Sequence, residues 1–391
     1  MLLVVFSLFI ELVFCGFFFV VSLDPETCSA RDQDCNAEVK EHPKLVRLDG
    51  VQVGHVQDIQ LKEDMKHQLI TKSLRPLLFE IPDFLSAEEC DHIIKLAGEQ
   101  GLYESTTMPD PDEDEALSDE EKNENCQHLL ASADEDSDGK ISPLEFAMFI
   151  RKDMNLSVND TDVDQITFGL ISQTECLEGD HLAFDHYMRD LEDRHPRQRS
   201  RLSQQTWLKV TGSTDPLLQE LQERVILLTK LPRVFIERSE DLQVVKYGVH
   251  GHYHAHYDST DERDFSTSRC CQGDTGNCSL CRYMTVLYYL NDVARGGETA
   301  FPVADEKYFN RTDYHEKDRS NLSSHCYDAN VLVRPRRGTA VMWYNHMISN
   351  VTGLLGPQDE RSLHGGCDVL EGYKWIANNW INAPFEWTDQ N

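Results

Sequence analysis

With 391 residues, 40% of them hydrophobic and 9% aromatic, the chain has enough apolar material to bury two or three domain cores, which excludes a wholly disordered protein. Its 37 basic residues against 68 acidic ones leave a formal charge of −31. That balance excludes nucleic acid as the main partner, because phosphate binding needs basic surface.

Residues 1–23 are almost wholly apolar, with Glu11 as the single charge. At about 1.5 Å per residue a helix of this length crosses a hydrocarbon core of roughly 30 Å. A carboxylate in mid-span costs roughly 3 kcal/mol, which the surrounding Leu, Phe and Val residues outweigh. A cleaved signal peptide is the competing reading. The segment has no basic leader, however, and Phe17-Phe18-Phe19-Val20-Val21 offers no small-residue cleavage site, so we expect a retained transmembrane anchor. Six Asn-x-Ser/Thr sequons begin at Asn155, Asn159, Asn277, Asn310, Asn321 and Asn350, and the chain carries 12 cysteines. Together they favour an oxidising lumenal or extracellular compartment and a glycoprotein. The cluster Cys270, Cys271, Cys278 and Cys281 has zinc-like spacing, but the sequon inside it suits a disulfide loop better.

Residues 24–75 show little periodicity and are expected to form a stalk or linker. Over 76–112 the first part of a folded domain begins. Residues 77–82 read as a strand, and Ser86-Ala87-Glu88-Glu89 is a capping box opening a helix. Cys90, Ile93, Ile94 and Ala97 form its apolar face, and Gly101 is its stop.

An insertion over 113–195 interrupts that domain. Its run from Asp134 to Glu145 fills an EF-hand loop: Asp134, Asp136 and Asp138 at positions 1, 3 and 5, Gly139 at the turn, Lys140 lending its carbonyl at 7, and Glu145 closing at 12. These residues are the expected Ca2+ ligands. A solvated acidic loop is the bland alternative. Residues 164–190 have helical spacing but the wrong ligands, Glu175, Leu177 and Gly179, with His186 in the closing place. We expect a degenerate partner hand that packs without binding.

The folded domain resumes over 205–385. Asp215-Pro216 starts a second helix with Leu217, Leu218, Leu221, Val225 and Leu228 on its apolar face, ended by Pro232. Strands follow at 242–247, 283–290, 339–344 and 374–381, separated by Gly-rich turns. The absence of a βαβ rhythm points to a mainly β jelly roll, a double-stranded β-helix, with flanking helices.

The strand 242–247 leads into Gly251-His252-Tyr253-His254-Ala255-His256-Tyr257-Asp258. A His-x-Asp pair where a strand turns into a loop offers two ligands to one metal, and His364 offers a third. Two imidazoles and one carboxylate leave open the positions that Fe(II) oxygenases need, but the same set also serves catalytic zinc. Lys374, ten residues after His364, tips the balance towards iron. His250, His252 and His254 are not expected to touch the metal, while Tyr253 and Trp380 are either pocket or ordinary core.

In these residues the chain resembles the prolyl 4-hydroxylases of the Fe(II) and 2-oxoglutarate dioxygenase superfamily, over roughly residues 77–105 and 207–383. The likeness includes Phe84-Leu85-Ser86-Ala87-Glu88-Glu89-Cys90, Tyr253 three before His256, Gly296-Gly297-Glu298-Thr299-Ala300-Phe301-Pro302, Gly338-Thr339-Ala340-Val341-Met342-Trp343-Tyr344-Asn345, and His364 with Lys374-Trp375. An anchor plus an EF-hand segment inserted before the barrel is similar to one membrane-anchored branch of that family. The direct start in the anchor and the long 303–333 segment depart from it.

The resemblance implies that His256, Asp258 and His364 bind iron and that Lys374 pairs with the distal carboxylate of 2-oxoglutarate. It further implies O2 and ascorbate as co-reactants, a peptidyl-proline protein as substrate, and a lumenal domain in the endoplasmic reticulum membrane. For that branch it raises the α subunit of hypoxia-inducible factor. Two alternatives stand beside this reading: hydroxylation of another residue, and a calcium-sensing membrane protein whose oxygenase-like domain is a non-catalytic binding module. Four intact site residues argue against the second.

Overall fold

The computed structural model describes residues 42–62, 65–105, 135, 144–145, 148, 199–259, 280–385 and 387. The chain divides into two units, Met1–His42 and Pro43–Asn391, and the fold is that of the second. Its strands in chain order are β1 Val56–Lys62, β2 Met65–Leu74, β3 Leu77–Ile81, β4 Tyr103–Glu104, β5 Arg201–Leu202, β6 Gln204–Leu208, β7 Leu242–Tyr247, β8 His252–His256, β9 Leu280–Tyr289, β10 Arg295–Gly296, β11 Thr299–Phe301, β12 Val331–Val333, β13 Ala340–Tyr344, β14 His346–Ile348, β15 Leu355–Gln358, β16 His364–Gly366, β17 Val369–Glu371 and β18 Lys374–Pro384. Nine of them make a major sheet in the order β1-β2-β3-β13-β9-β18-β7-β6-β4, and five make a minor sheet in the order β12-β11-β16-β8-β5. This is the expected mainly β jelly roll.

The central strands of the major sheet read as continuous apolar runs because both their faces are covered. On β13, Ala340, Met342 and Tyr344 join the core cluster that includes the helices, while Val341 and Trp343 belong to a second cluster shared with Phe301 and Val333 of the minor sheet. On β7 the same alternation sends Leu242 and Val244 outward and Val245 and Tyr247 inward. The inward face is the one on which a site can be built.

The two helices form as their caps dictate. Ser86 Oγ accepts from the Glu89 amide while Glu89 returns a bond to the Ser86 amide, and helix Ala87–Gln100 buries Cys90, Ile93 and Ala97. Asp215 accepts from the Leu217 and Leu218 amides and Pro216 opens helix Pro216–Thr229. That helix stops at Lys230, in the left-handed region at φ 57°, two residues before the expected Pro232, which instead leads into the short helix Arg233–Glu237. Arg224 is buried on its inner face and joins the two helices, pairing with Glu89 and with Glu220 and donating to the Phe84 carbonyl.

One expectation changes. Within the expected linker 24–75, residues 56–62 and 65–74 are strands β1 and β2 of the major sheet. The alternation of β2 is real, but its buried positions are His67, Leu69, Thr71 and Ser73, mostly polar, so no hydrophobic period marks it. Cys281 is disulfide-bonded, as expected for its cluster, and Cys326 pairs with Cys367 across 41 residues. Among the described residues Cys90 is a free, buried thiol.

The anchor 1–23 lies outside the described residues, among which no helix is long and apolar enough to cross a membrane. Of the EF-hand positions, Asp134, Asp136, Asp138 and Lys140 lie outside them too. Glu145 is buried, and its carboxylate accepts from the Glu135 amide at 3.0 Å. Asn321, one of the six sequons, is only 8% exposed and caps a helical turn through the Ser323 and Ser324 amides.

Candidate active site

Strands β8 and β16 pair antiparallel with His256 opposite His364, which puts two imidazoles side by side, and Asp258 follows where β8 ends. Gly365 allows this approach: a Cβ there would lie 2.5 Å from the Tyr253 carbonyl and 2.8 Å from that of His254. Ligand atoms of His256, Asp258 and His364 all fall within 4.8 Å of one another. His256 Nε2 is 3.7 Å from one carboxylate oxygen of Asp258, and His364 Nε2 is 3.5 Å from the other.

The second atom of each ligand is held by the protein. His256 Nδ1 faces the His254 carbonyl and His364 Nδ1 the Ser362 carbonyl, each at 2.8 Å. A carbonyl only accepts, so each Nδ1 carries the proton and each Nε2 keeps its lone pair for a metal. Thr285 Oγ1 donates to Asp258 Oδ2 at 2.6 Å. Burial pushes the His364 imidazole down to about 4, against the pull of Asp258, so the ring is neutral at pH 7. Burial alone would raise Asp258, but His364, His256 and Arg282 hold it well below the usual carboxylate range. Two imidazoles with Nδ1 turned to a backbone carbonyl and an ionised carboxylate are the donor set that a divalent first-row metal takes, so these residues fit the Fe(II) implied by the resemblance.

The same cavity, about 680 Å³, reaches Lys374 at the start of β18. Lys374 is 2% exposed, with its ammonium over the rings of Tyr247 at 5.3 Å and Tyr289 at 5.7 Å. Among the described residues no carboxylate lies within ion-pair distance of it. Burial pushes its amine down to about 7, partly opposed by Glu298. A buried cation without a counter-charge, in a cavity that also holds a metal-type triad, suits a small dicarboxylate spanning the two ends.

His252 and His254 are buried and held by hydrogen bonds to the backbone. His252 Nδ1 and Nε2 face the His250 and Arg199 carbonyls, and His254 accepts from the Leu322 amide while stacking on His252. Tyr253 and Trp380 both line the cavity. Tyr253 stacks on His256 at 3.5 Å, and Arg282, fixed by Glu240, lies 3.5 Å over the Trp380 ring. Away from the metal the floor is an amide ladder, with Asn378 donating to Gln243 at 3.0 Å and Gln243 to Gln205 at 2.6 Å.

Sequence reasoning missed Thr285, Arg282 and this ladder, none of which stands in a spacing that announces a ligand. For Thr285 the available signal was a small hydroxyl side chain among larger residues in the strand Leu280–Tyr289.

Residues 242–382 match the model of the 2OG-Fe(II) oxygenase superfamily. The chain is 39% identical over 361 residues to the transmembrane prolyl 4-hydroxylase of Homo sapiens, covering 87% of this chain and 70% of that one, and 38% identical over 361 residues to that of Mus musculus with the same coverage. It is 31% identical over 218 residues to prolyl 4-hydroxylase 2 of Arabidopsis thaliana, covering 55% of this chain and 65% of that protein. On an oxygenase jelly roll carrying this triad, such identity over most of both chains means that the protein belongs to the transmembrane prolyl 4-hydroxylase family.

Proposed function

We propose that this chain is a prolyl 4-hydroxylase in which His256, Asp258 and His364 hold Fe(II) and Lys374 binds the distal carboxylate of 2-oxoglutarate. The observation that carries the reading is the pairing, in one cavity, of three converging metal donors with a buried lysine that has no carboxylate partner among the described residues. The chemistry supplied by bound Fe(II), 2-oxoglutarate and O2 is insertion of oxygen into a C–H bond, coupled to decarboxylation of the cosubstrate to succinate.

The chain's own contribution is binding, orientation and shielding. The backbone carbonyls of His254 and Ser362 keep both Nε2 lone pairs directed at the metal. Lys374 fixes the far end of the cosubstrate and so sets how its keto-acid end meets the metal. Tyr247 and Tyr253 line the cavity beside Lys374 and His256. The polar part of the cavity lined by Arg282, Trp380 and the amide ladder receives a peptidyl proline.

Around this centre the reading adds Ca2+ in the loop of Asp134, Asp136, Asp138, Lys140 and Glu145, an N-terminal membrane anchor, a lumenal active site in the endoplasmic reticulum, and ascorbate as the reductant that sustains Fe(II). The EF-hand spacing and the apolar 1–23 segment support those parts. Incubating proline-containing peptides with the protein, Fe(II) and 2-oxoglutarate should yield 4-hydroxyproline on amino-acid analysis. Hydroxylation confined to lysine would favour the runner-up. For calcium, Glu145→Gln should abolish Ca2+ binding to the loop in a titration; unchanged binding would remove the loop from the account.

A further inference from the structure

Thr285 on β9 stands opposite Trp343 on β13 in the strand register, and Asn345 follows two residues after Trp343 on the same inward side. Three hydrogen bonds connect them to the carboxylate: Trp343 Nε1 to Asn345 Oδ1 at 3.0 Å, Asn345 Nδ2 to Thr285 Oγ1 at 3.0 Å, and Thr285 Oγ1 to Asp258 Oδ2 at 2.6 Å. The direction of this relay is forced. An indole N–H only donates, so the Asn345 oxygen must face it and the amide nitrogen must turn to Thr285. Thr285 then receives a proton on its oxygen and has one proton of its own left, which goes to Asp258. Trp343, Thr285 and Asn345 are 1%, 1% and 0% exposed, so water has no access to replace a link. Trp343 also packs its ring 4.5 Å from that of His364.

We propose that Trp343, Asn345 and Thr285 are positioning residues for the metal centre. The relay commits one lone pair of Asp258 Oδ2 to a protein donor and fixes the carboxylate plane relative to His364, so that the carboxylate would meet a metal held by the triad in one orientation. The proposal rests on the assignment of His256, Asp258 and His364 as metal ligands.

The test is the Fe(II) affinity of the full chain, measured without O2 by competition with a coloured chelator, alongside thermal unfolding. Thr285→Val keeps the shape and removes the hydroxyl; it should weaken Fe(II) binding by roughly 10- to 100-fold, while Thr285→Ser should restore it to within about twofold. Asn345→Leu should also weaken binding, and the Thr285→Val, Asn345→Leu double variant should be no weaker than Thr285→Val alone, since orienting an absent hydroxyl has no value. Equal losses for Ser and Val, additive losses in the double variant, or unaltered affinity in Thr285→Val would each overturn the relay. If Asn345→Leu does not fold, the Ser and Val pair decides the matter. His364→Ala is the control: weakened Fe(II) binding there shows that the assay reads this site, and unchanged binding overturns the ligand assignment itself.

Discussion

The two ends of the catalytic cavity are built on opposite principles. At the metal end every ligand has its second atom tied down, His256 and His364 to backbone carbonyls and Asp258 to Thr285, so the site is organised before anything binds. At the lysine end Lys374 is buried between two tyrosine rings with no carboxylate in contact among the described residues, and burial has pushed its amine down to about 7. One end is complete in hydrogen bonds and waits for a cation. The other is incomplete in charge, and its ligand must bring the missing carboxylate.

That contrast yields predictions of decreasing size. Lys374→Met keeps the stem and removes the charge, leaving a bound dicarboxylate unpaired; a loss of roughly 2–5 kcal/mol, about thirtyfold to a few thousandfold in the KM for 2-oxoglutarate, is expected. An unchanged KM would mean that the cosubstrate's far end lies elsewhere. At the metal end, Gly365→Ala places a Cβ against the Tyr253 and His254 carbonyls, forcing β16 from β8 and separating His364 from His256. Fe(II) affinity should fall by at least about tenfold, while Lys374→Met should leave it near the wild-type value in the absence of cosubstrate. Losses of both kinds in both variants would erase the distinction between the two ends.

The pH dependence follows from the lysine end. A bound dicarboxylate favours charged Lys374 and raises its pKa above the value of about 7 in the free protein, so binding above pH 7 takes up a proton. Affinity is therefore full below pH 7 and is lost as pH rises, by up to about tenfold per pH unit. Lys374→Arg should flatten the profile because a guanidinium stays charged. A KM that is level from pH 7 to 9 in the wild type would contradict this. The smallest effect belongs to Glu298, the one charge that supports protonated Lys374. Glu298→Gln should move the rise in KM to lower pH by a fraction of a unit, measurable as a displaced profile with the same limiting value.

Much of this site was legible in the sequence because its chemistry is local. His256-Tyr257-Asp258 carries two ligands within three residues, and Lys374 follows His364 at a fixed interval. The capping box at Ser86, the N-cap at Asp215 and the inward strand at 242–247 were legible for the same reason. What could not be read depends on contacts between distant strands. Thr285 and Asn345 are 60 residues apart and become partners only when β9 pairs with β13. Strand β2 hid because His67, Thr71 and Ser73 fill its buried positions.

The central claim is that this cavity couples a metal held by His256, Asp258 and His364 to 2-oxoglutarate held by Lys374. Succinate release from 2-oxoglutarate with Fe(II) and ascorbate, compared between the wild type and His364→Ala with and without proline-containing peptides, tests it most directly. The account predicts turnover that disappears in His364→Ala and rises with at least one peptide. Wild-type protein that binds Fe(II) yet releases no succinate with any peptide would contradict it and leave a non-catalytic binding module in its place.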